Sequence, residues 1–354
     1  MFSRLSLLLL ITGAAFFIGC SSRPVKPMEP FQTAQTETPR GKGDITAPPE
    51  LKLPSAGTEL PVTRFGEIWA YLVSRNEAAL DYDFPITDLV YFGADIDSYG
   101  KLTGIPNFKN IESFPGRKHF VAASSGRAVT HFILKEGSAE RKALIRDLLE
   151  AAKPYDGLQI DFENVPPLDG EVFLSFLREL RAGLGDRIFS IALQARTRKL
   201  EDDVYDYEKI APLVDRILVM AYDEHWSGSP PGPIASMGWC QRVAKYSLEI
   251  IGQEKLIMGL PFYGRSWGNF NTNRAYLHSG IEEMILEKNI RGISRENGIP
   301  TFRFEAPVTV TVYYEDDYSL SARLEMYKTL GIGSVGFWRL GQETPDFWPV
   351  IGLE

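Results

Sequence analysis

From Thr63 to the C-terminus, eight short apolar runs alternate with longer amphipathic stretches. The runs fall at 67–72, 88–94, 119–124, 157–163, 188–194, 216–222, 256–262 and 334–338. Segments such as 140–152, 170–184 and 319–330 space their apolar residues for one face of a helix. Eight strands joined by helices predict an α/β fold, a single (β/α)8 TIM barrel over residues 63–354. A doubly wound open sheet is the alternative, but no G-x-G-x-x-G opens a helix after the first run. The interval 263–317 is longer than a barrel connection needs and contains the strand-like VTVTVYYED. A small β-containing insertion between strands 7 and 8 is therefore expected.

The chain is large enough to bury such a core, with 354 residues, 44% of them hydrophobic. Its formal charge of -8 and the lack of a basic stripe argue against a nucleic-acid partner, which would need clustered Lys and Arg. Two cysteines and four scattered histidines offer neither a disulfide framework nor metal-ligand spacing. No metal and no other cofactor is expected, and the protein is expected to be monomeric.

Residues 1–20 have the layout of an export signal: Arg4, an apolar run from Leu5 to Ile18, then Gly19 and Cys20. The ending Gly-Cys-Ser-Ser resembles a bacterial lipoprotein signal, which implies lipidation at Cys20 and anchorage to a membrane of the cell envelope. An ordinary signal peptide or an uncleaved anchor is the alternative. Residues 21–62 turn to Pro, Thr, Glu, Gln and Lys, cannot build a core, and read as a flexible tether.

Within the fourth run, YDGLQIDFENV, Leu158, Ile160 and Phe162 alternate with Gln159, Asp161 and Glu163. On a strand that period puts Gly157, Gln159, Asp161 and Glu163 on one face. Adjacent acids repel and are costly to bury, so a chain that keeps them there is expected to use them. A solvated edge strand is the bland account. Barrel enzymes work at the carboxyl ends of their strands. There the chain offers Asp161 and Glu163 on the fourth, Met220, Tyr222 and Asp223 on the sixth, Tyr263 and Arg265 after the seventh, and Trp338 on the eighth. Singly these could be a core phenol, a helix cap, a surface charge and barrel filling; together they point to one site.

DGLQIDFE resembles the signature strand of glycoside hydrolase family 18, the chitinase-like enzymes, written D-G-x-D-x-D-x-E. MAYD is similar to that family's M-x-Y-D strand, GLPFYGRSW to its seventh strand and GFWRLGQE to its last. The run MAYDEHWSGSPPGPIASMGW looks most like bacterial members related to spore-germination and cell-wall N-acetylglucosaminidases. The resemblance spans about residues 63–354. It implies a retaining hydrolase of β-1,4-linked N-acetylglucosamine glycan, of chitin or peptidoglycan type, in which the substrate's own 2-acetamido carbonyl attacks the anomeric carbon. Carried over by motif, Glu163 is the general acid and later the base, and Asp161 orients the acetamido group and should raise the pKa of Glu163. Tyr222 binds the acetamido oxygen and Asp223 positions the distorted sugar. Trp338 stacks beneath that sugar, while Arg265, Tyr263 and Tyr71 contact substrate. Gln159 and Met220 support the strand ends.

The main departure is Gln159, which stands where the family has the first of three acids. It can hydrogen-bond Asp161 but cannot take its proton. Ser124-Ser125-Gly126 replaces a motif often written S-x-G-G, at a mainly structural place. Two other readings stand beside the enzyme: a sugar-binding protein without catalysis, kept open by Gln159, and an unrelated barrel hydrolase using Asp161 and Glu163 as a conventional pair. The last fits poorly, since both acids approach the sugar from one side.

Overall fold

A computed structural model describes residues 59–268, 273–305 and 309–354. The export signal, Cys20 and residues 21–58 of the expected tether lie outside the described residues. Eight parallel strands close into a barrel: β1 Glu67–Val73, β2 Asp88–Ile96, β3 Arg117–Ser124, β4 Gly157–Phe162, β5 Ile188–Gln194, β6 Arg216–Met220, β7 Leu256–Pro261 and β8 Ser334–Trp338. Each pairs with its sequence neighbours and β8 returns to β1, so the barrel has no free edge. The fold is a (β/α)8 barrel, with helices α1 Arg127–Leu134, α2 Ala139–Ala151, α3 Gly170–Leu184, α4 Tyr207–Ile210, α5 Met237–Ile251, α6 His278–Glu287 and α7 Asp317–Thr329.

The two faces of β4 follow its alternating sequence. Leu158, Ile160 and Phe162 point outward into the layer between strands and helices, where the Phe162 ring lies 6.3 Å from Phe173 and 5.7 Å from Phe176 of α3. Gln159 and Asp161 point into the barrel and are buried. The polar face of β4 is thus interior, which excludes the solvated edge strand. Gly157 leaves room for the His119 ring of β3, since a Cβ there would come within 2.3 Å of His119 Nδ1. The barrel interior is filled by Trp69, Tyr71, Val90, Val121, Ala192, Leu218 and Ile257. Gly336 on β8 leaves the room that Leu218 occupies, at 2.7 Å from its missing Cβ.

Helix ends are set locally. Ser138 accepts a hydrogen bond from the Arg141 N–H at the start of α2, and Asp316 and Ser319 form a capping box at the start of α7. The short strand Thr63–Phe65 pairs in parallel with Ile351–Leu353 and leads through Gly66 into β1, at the amino end of the barrel. Between β7 and β8 lies the insertion. Strands 274–276, 264–268, 309–313, 299–305 and 294–296 form, in that spatial order, an antiparallel sheet. Together with α6 it encloses a small core of Ile281, Phe302, Val310, Val312 and Tyr314. The expected insertion is present with more strands than VTVTVYYED alone suggested. Among the described residues, no helix is long and apolar enough to cross a membrane.

Candidate active site

A cavity of about 880 Å3 opens at the carboxyl ends of the strands and is lined by Asp161, Glu163, Met220, Tyr222, Asp223, Tyr263, Arg265, Trp338 and Tyr71. Sequence reasoning therefore placed these residues in one space. Gln159 lies beneath, fully buried in the barrel.

The central strand supplies two carboxyls in different surroundings. Asp161 is 6% exposed, and its Oδ1 is shut off from solvent without a hydrogen-bond partner among the described residues. Burial, then the charge of Glu163, pushes its pKa up to about 8, so it holds a proton near neutrality. Glu163 sits one residue past the end of β4 and is exposed. Its backbone is pinned, with N–H donating to Ser124 O (3.0 Å) and C=O accepting from Gln194 Nε2 (2.8 Å). The carboxyl itself makes no hydrogen bond or ion pair among the described residues. Partial burial, then the charge of Asp223, raises its pKa. This corrects one expectation. The push on Glu163 comes from Asp223 across the cavity, because a protonated Asp161 carries no charge to repel it.

Asp223 lies beyond β6 with φ of 58°, a left-handed conformation uncommon outside glycine. Its carboxylate accepts from Arg265 Nε (2.8 Å) and Nη2 (3.1 Å) and from the Tyr263 hydroxyl (2.6 Å). Arg265 and Tyr263 were expected to contact substrate. Both line the cavity, and their polar groups hold Asp223. The Tyr222 ring meets Tyr263 edge-on at 6.3 Å, and burial raises its phenol well above the ordinary value, keeping it a donor.

Tyr71 also departs from expectation. It is buried, and its hydroxyl donates to Gln159 Oε1, so it offers the cavity only its ring. Gln159 Nε2 donates to Ser190 Oγ at 3.2 Å. The amide is thus engaged by Tyr71 and Ser190, and no hydrogen bond joins Gln159 to Asp161. Trp338 is half-buried, with its ring set 5.2 Å from both Tyr71 and Phe92 and edge-on to the latter. That support keeps an aromatic face available to the cavity.

Several lining residues were not singled out from sequence: Phe92, Trp226, Tyr276, Arg339 and Gln342. Trp226 is in the run MAYDEHW, and Arg339 and Gln342 are in GFWRLGQE, so proximity to a motif could have flagged three of them. Tyr276 belongs to the insertion and carried no such signal. Among the described residues, no group of three or more His, Cys, Asp or Glu is placed to hold a metal ion.

The closed barrel thus gathers acids, phenols and an indole at the carboxyl ends of its strands, where barrel enzymes place their active sites. The model of the glycosyl hydrolases family 18 matches residues 75–343, and the chain belongs to that family. It is 27% identical over 276 residues to the cortical fragment-lytic enzyme of Bacillus cereus, covering 73% of this chain and 61% of that protein. To the protein of the same name from Bacillus anthracis it is 27% identical over 241 residues, covering 62% and 55%. The chain therefore spans between half and two thirds of the length of these curated relatives. The crystal structure of the Bacillus cereus spore cortex-lytic enzyme SleL superposes with a TM-score of 0.73 at 23% identity, covering 83% of this chain and 76% of that one, and shares its fold.

Proposed function

We propose that the protein is a glycosidase that cleaves β-1,4-linked N-acetylglucosamine-containing glycan with retention of configuration, the substrate's 2-acetamido carbonyl acting as nucleophile. The observation that carries this reading is the unequal pair on β4: an exposed, unpaired Glu163 with a raised pKa above a buried Asp161 that keeps its own proton. A conventional pair needs a second free carboxylate to attack or to activate water. Asp161 is buried and neutral near pH 7, and Asp223 is tied to Arg265.

Glu163 then protonates the leaving glycosidic oxygen and later takes a proton from water. The Tyr222 hydroxyl donates to the acetamido oxygen. Positive charge on the oxazolinium intermediate lowers the proton affinity of Asp161 beside it, so Asp161 releases its proton to water in the cavity and the resulting carboxylate stabilises the intermediate. Asp223 and Trp338 hold the distorted sugar. The glycan is of chitin or peptidoglycan type. We propose also that residues 1–20 direct export and that Cys20 carries a lipid. Cys20→Ala should then leave the protein soluble, and persistent membrane association would refute it.

Full-length protein and its Glu163→Gln variant, assayed on an aryl chitobioside and on purified peptidoglycan, test the reading. Turnover that vanishes in the variant while oligosaccharide binding survives supports it. Undiminished turnover by the variant sinks the assignment of Glu163. Binding without turnover by the parent protein would make the chain a lectin, in keeping with a Gln159 that cannot share a proton with Asp161.

A further inference from the structure

Five charged side chains line the cavity, and the proposed chemistry occupies four of them. Asp161 and Glu163 are the working carboxyls, and Asp223 and Arg265 neutralise each other. Arg339 is left over. It follows Trp338 at the end of β8, and its backbone is held firmly. Leu340 N–H donates to Tyr71 O (2.9 Å), and Gln342 N–H donates to Arg339 O (3.2 Å). Asn76 Nδ2 donates to Leu340 O (3.3 Å).

The Arg339 guanidinium is partly buried on the cavity wall and makes no hydrogen bond or ion pair among the described residues. Burial lowers its pKa, and the carboxylate that opposes this effect, Glu343, is already engaged by Gln342 N–H (2.9 Å) and Trp348 Nε1 (3.4 Å). Removing a cation from water without a partner is unfavourable, so an unpaired guanidinium facing a cavity marks a place for a ligand's anion. A second unmet group lies three residues on. Gln342 Oε1 is cut off from solvent and accepts no hydrogen bond among the described residues, while the residue lines the same cavity.

We infer that Arg339 is a specificity-determining residue that binds a carboxylate carried by the glycan, so that the preferred substrate is an acidic N-acetylhexosamine polymer with free carboxyl substituents. This assignment rests on reading the cavity as a glycan-cleaving site. A guanidinium fork matches a carboxylate with two parallel hydrogen bonds. A phosphate dianion fits less well, because one guanidinium balances only one of its two charges.

The test uses the full-length chain and two tetrasaccharides in which N-acetylglucosamine alternates with its 3-O-carboxyalkyl ether, one as the free acid and one as the methyl ester. Affinities are measured by calorimetry and turnover by chromatography. The parent protein should bind the acid about tenfold more tightly than the ester, the scale of one charge-assisted contact. In Arg339→Gln that ratio should fall to one, and in Arg339→Lys part of it should remain. Equal affinity of the parent for acid and ester overturns the inference even if both are cleaved, as does a ratio that survives in Arg339→Gln with an unchanged unfolding midpoint. A preference for the acid that depends on Arg339, without cleavage of either compound, would uphold the inference while removing the proposed activity.

Discussion

At the closed end of the barrel, Glu67 and Asp88 begin β1 and β2 beside Arg117 and Arg216, which begin β3 and β6. Arg117 spans both acids, 2.7 Å from Asp88 and 2.8 Å from Glu67. Arg216 reaches Glu67 at 2.9 Å, and His119 Nε2 lies 2.7 Å from Asp88. Burial alone would raise both carboxyls, but hydrogen bonds outweigh it: from Arg216 and Trp69 on Glu67, and from His119 and Arg117 on Asp88. Both end below their ordinary range. At the open end, Asp161 is buried and Glu163 partly so, both without cationic partners, and both end above theirs. Burial is common to both ends; what differs is whether the charge is answered. Answered acids hold the barrel together, and unanswered ones are free to move protons.

The contrast can be broken by mutation. At the closed end, Asp88→Ala leaves a buried His119 without its partner and Arg117 with Glu67 alone, and should cost about 3–5 kcal/mol of stability by chemical denaturation. Its kcat on an aryl chitobioside should stay unchanged. A cost under about 1 kcal/mol would mean that the network contributes little. At the open end, Asp161→Asn should do the reverse, lowering kcat by about 10²–10³-fold, on the scale of one lost transition-state contact. A variant with full activity would remove Asp161 from the chemistry.

Trp338→Ala should weaken binding of N-acetylglucosamine oligomers by about 1–3 kcal/mol, the range for an aromatic platform. Unchanged affinity would make that ring part of the core. The last effect is a slope. Because Asp161 has a folded pKa of about 8 against an ordinary 3.8, the folded state keeps a proton that the unfolded chain has lost. Its contribution is complete below about pH 4 and is lost as pH rises toward 8, by at most about 1.4 kcal/mol per pH unit. Asp161→Asn should abolish that part of the stability profile, and parallel profiles for the two proteins would contradict it.

The same contrast explains what could be read from the sequence. All eight barrel strands were legible because each is a short apolar run, and Gln159 and Asp161 on β4 were legible because polar residues interrupt one. Strand ends were less so. The reading ran β4 through Glu163 and β6 through Tyr222, whereas the ladders stop at Phe162 and Met220. At those points the chain turns up toward the cavity. The insertion was visible as surplus length and through the strand 309–313, but the other four strands of its sheet were not, since three of those have only three to five residues. The closed-end network was invisible, because Glu67, Asp88, Arg117 and Arg216 are separated by tens of residues and meet only when strand starts align. Partner choice escaped the sequence for a similar reason. Motif order brought Arg265 and Tyr71 to the site, but only the folded backbone shows that Asp223 and Gln159 claim their polar groups.

Arg265 also gives the insertion a consequence beyond shaping the cavity. It belongs to the insertion strand Gly264–Gly268, paired to 309–313, while its side chain holds the Asp223 whose charge acts on Glu163. The lobe that walls the cleft and the proton affinity of the acid are therefore not separable modules. A protein engineer who grafts a longer or shorter lobe to change the length of glycan accepted should find that the pH optimum moves with it. Identical optima in parent and graft would show the two properties to be independently adjustable.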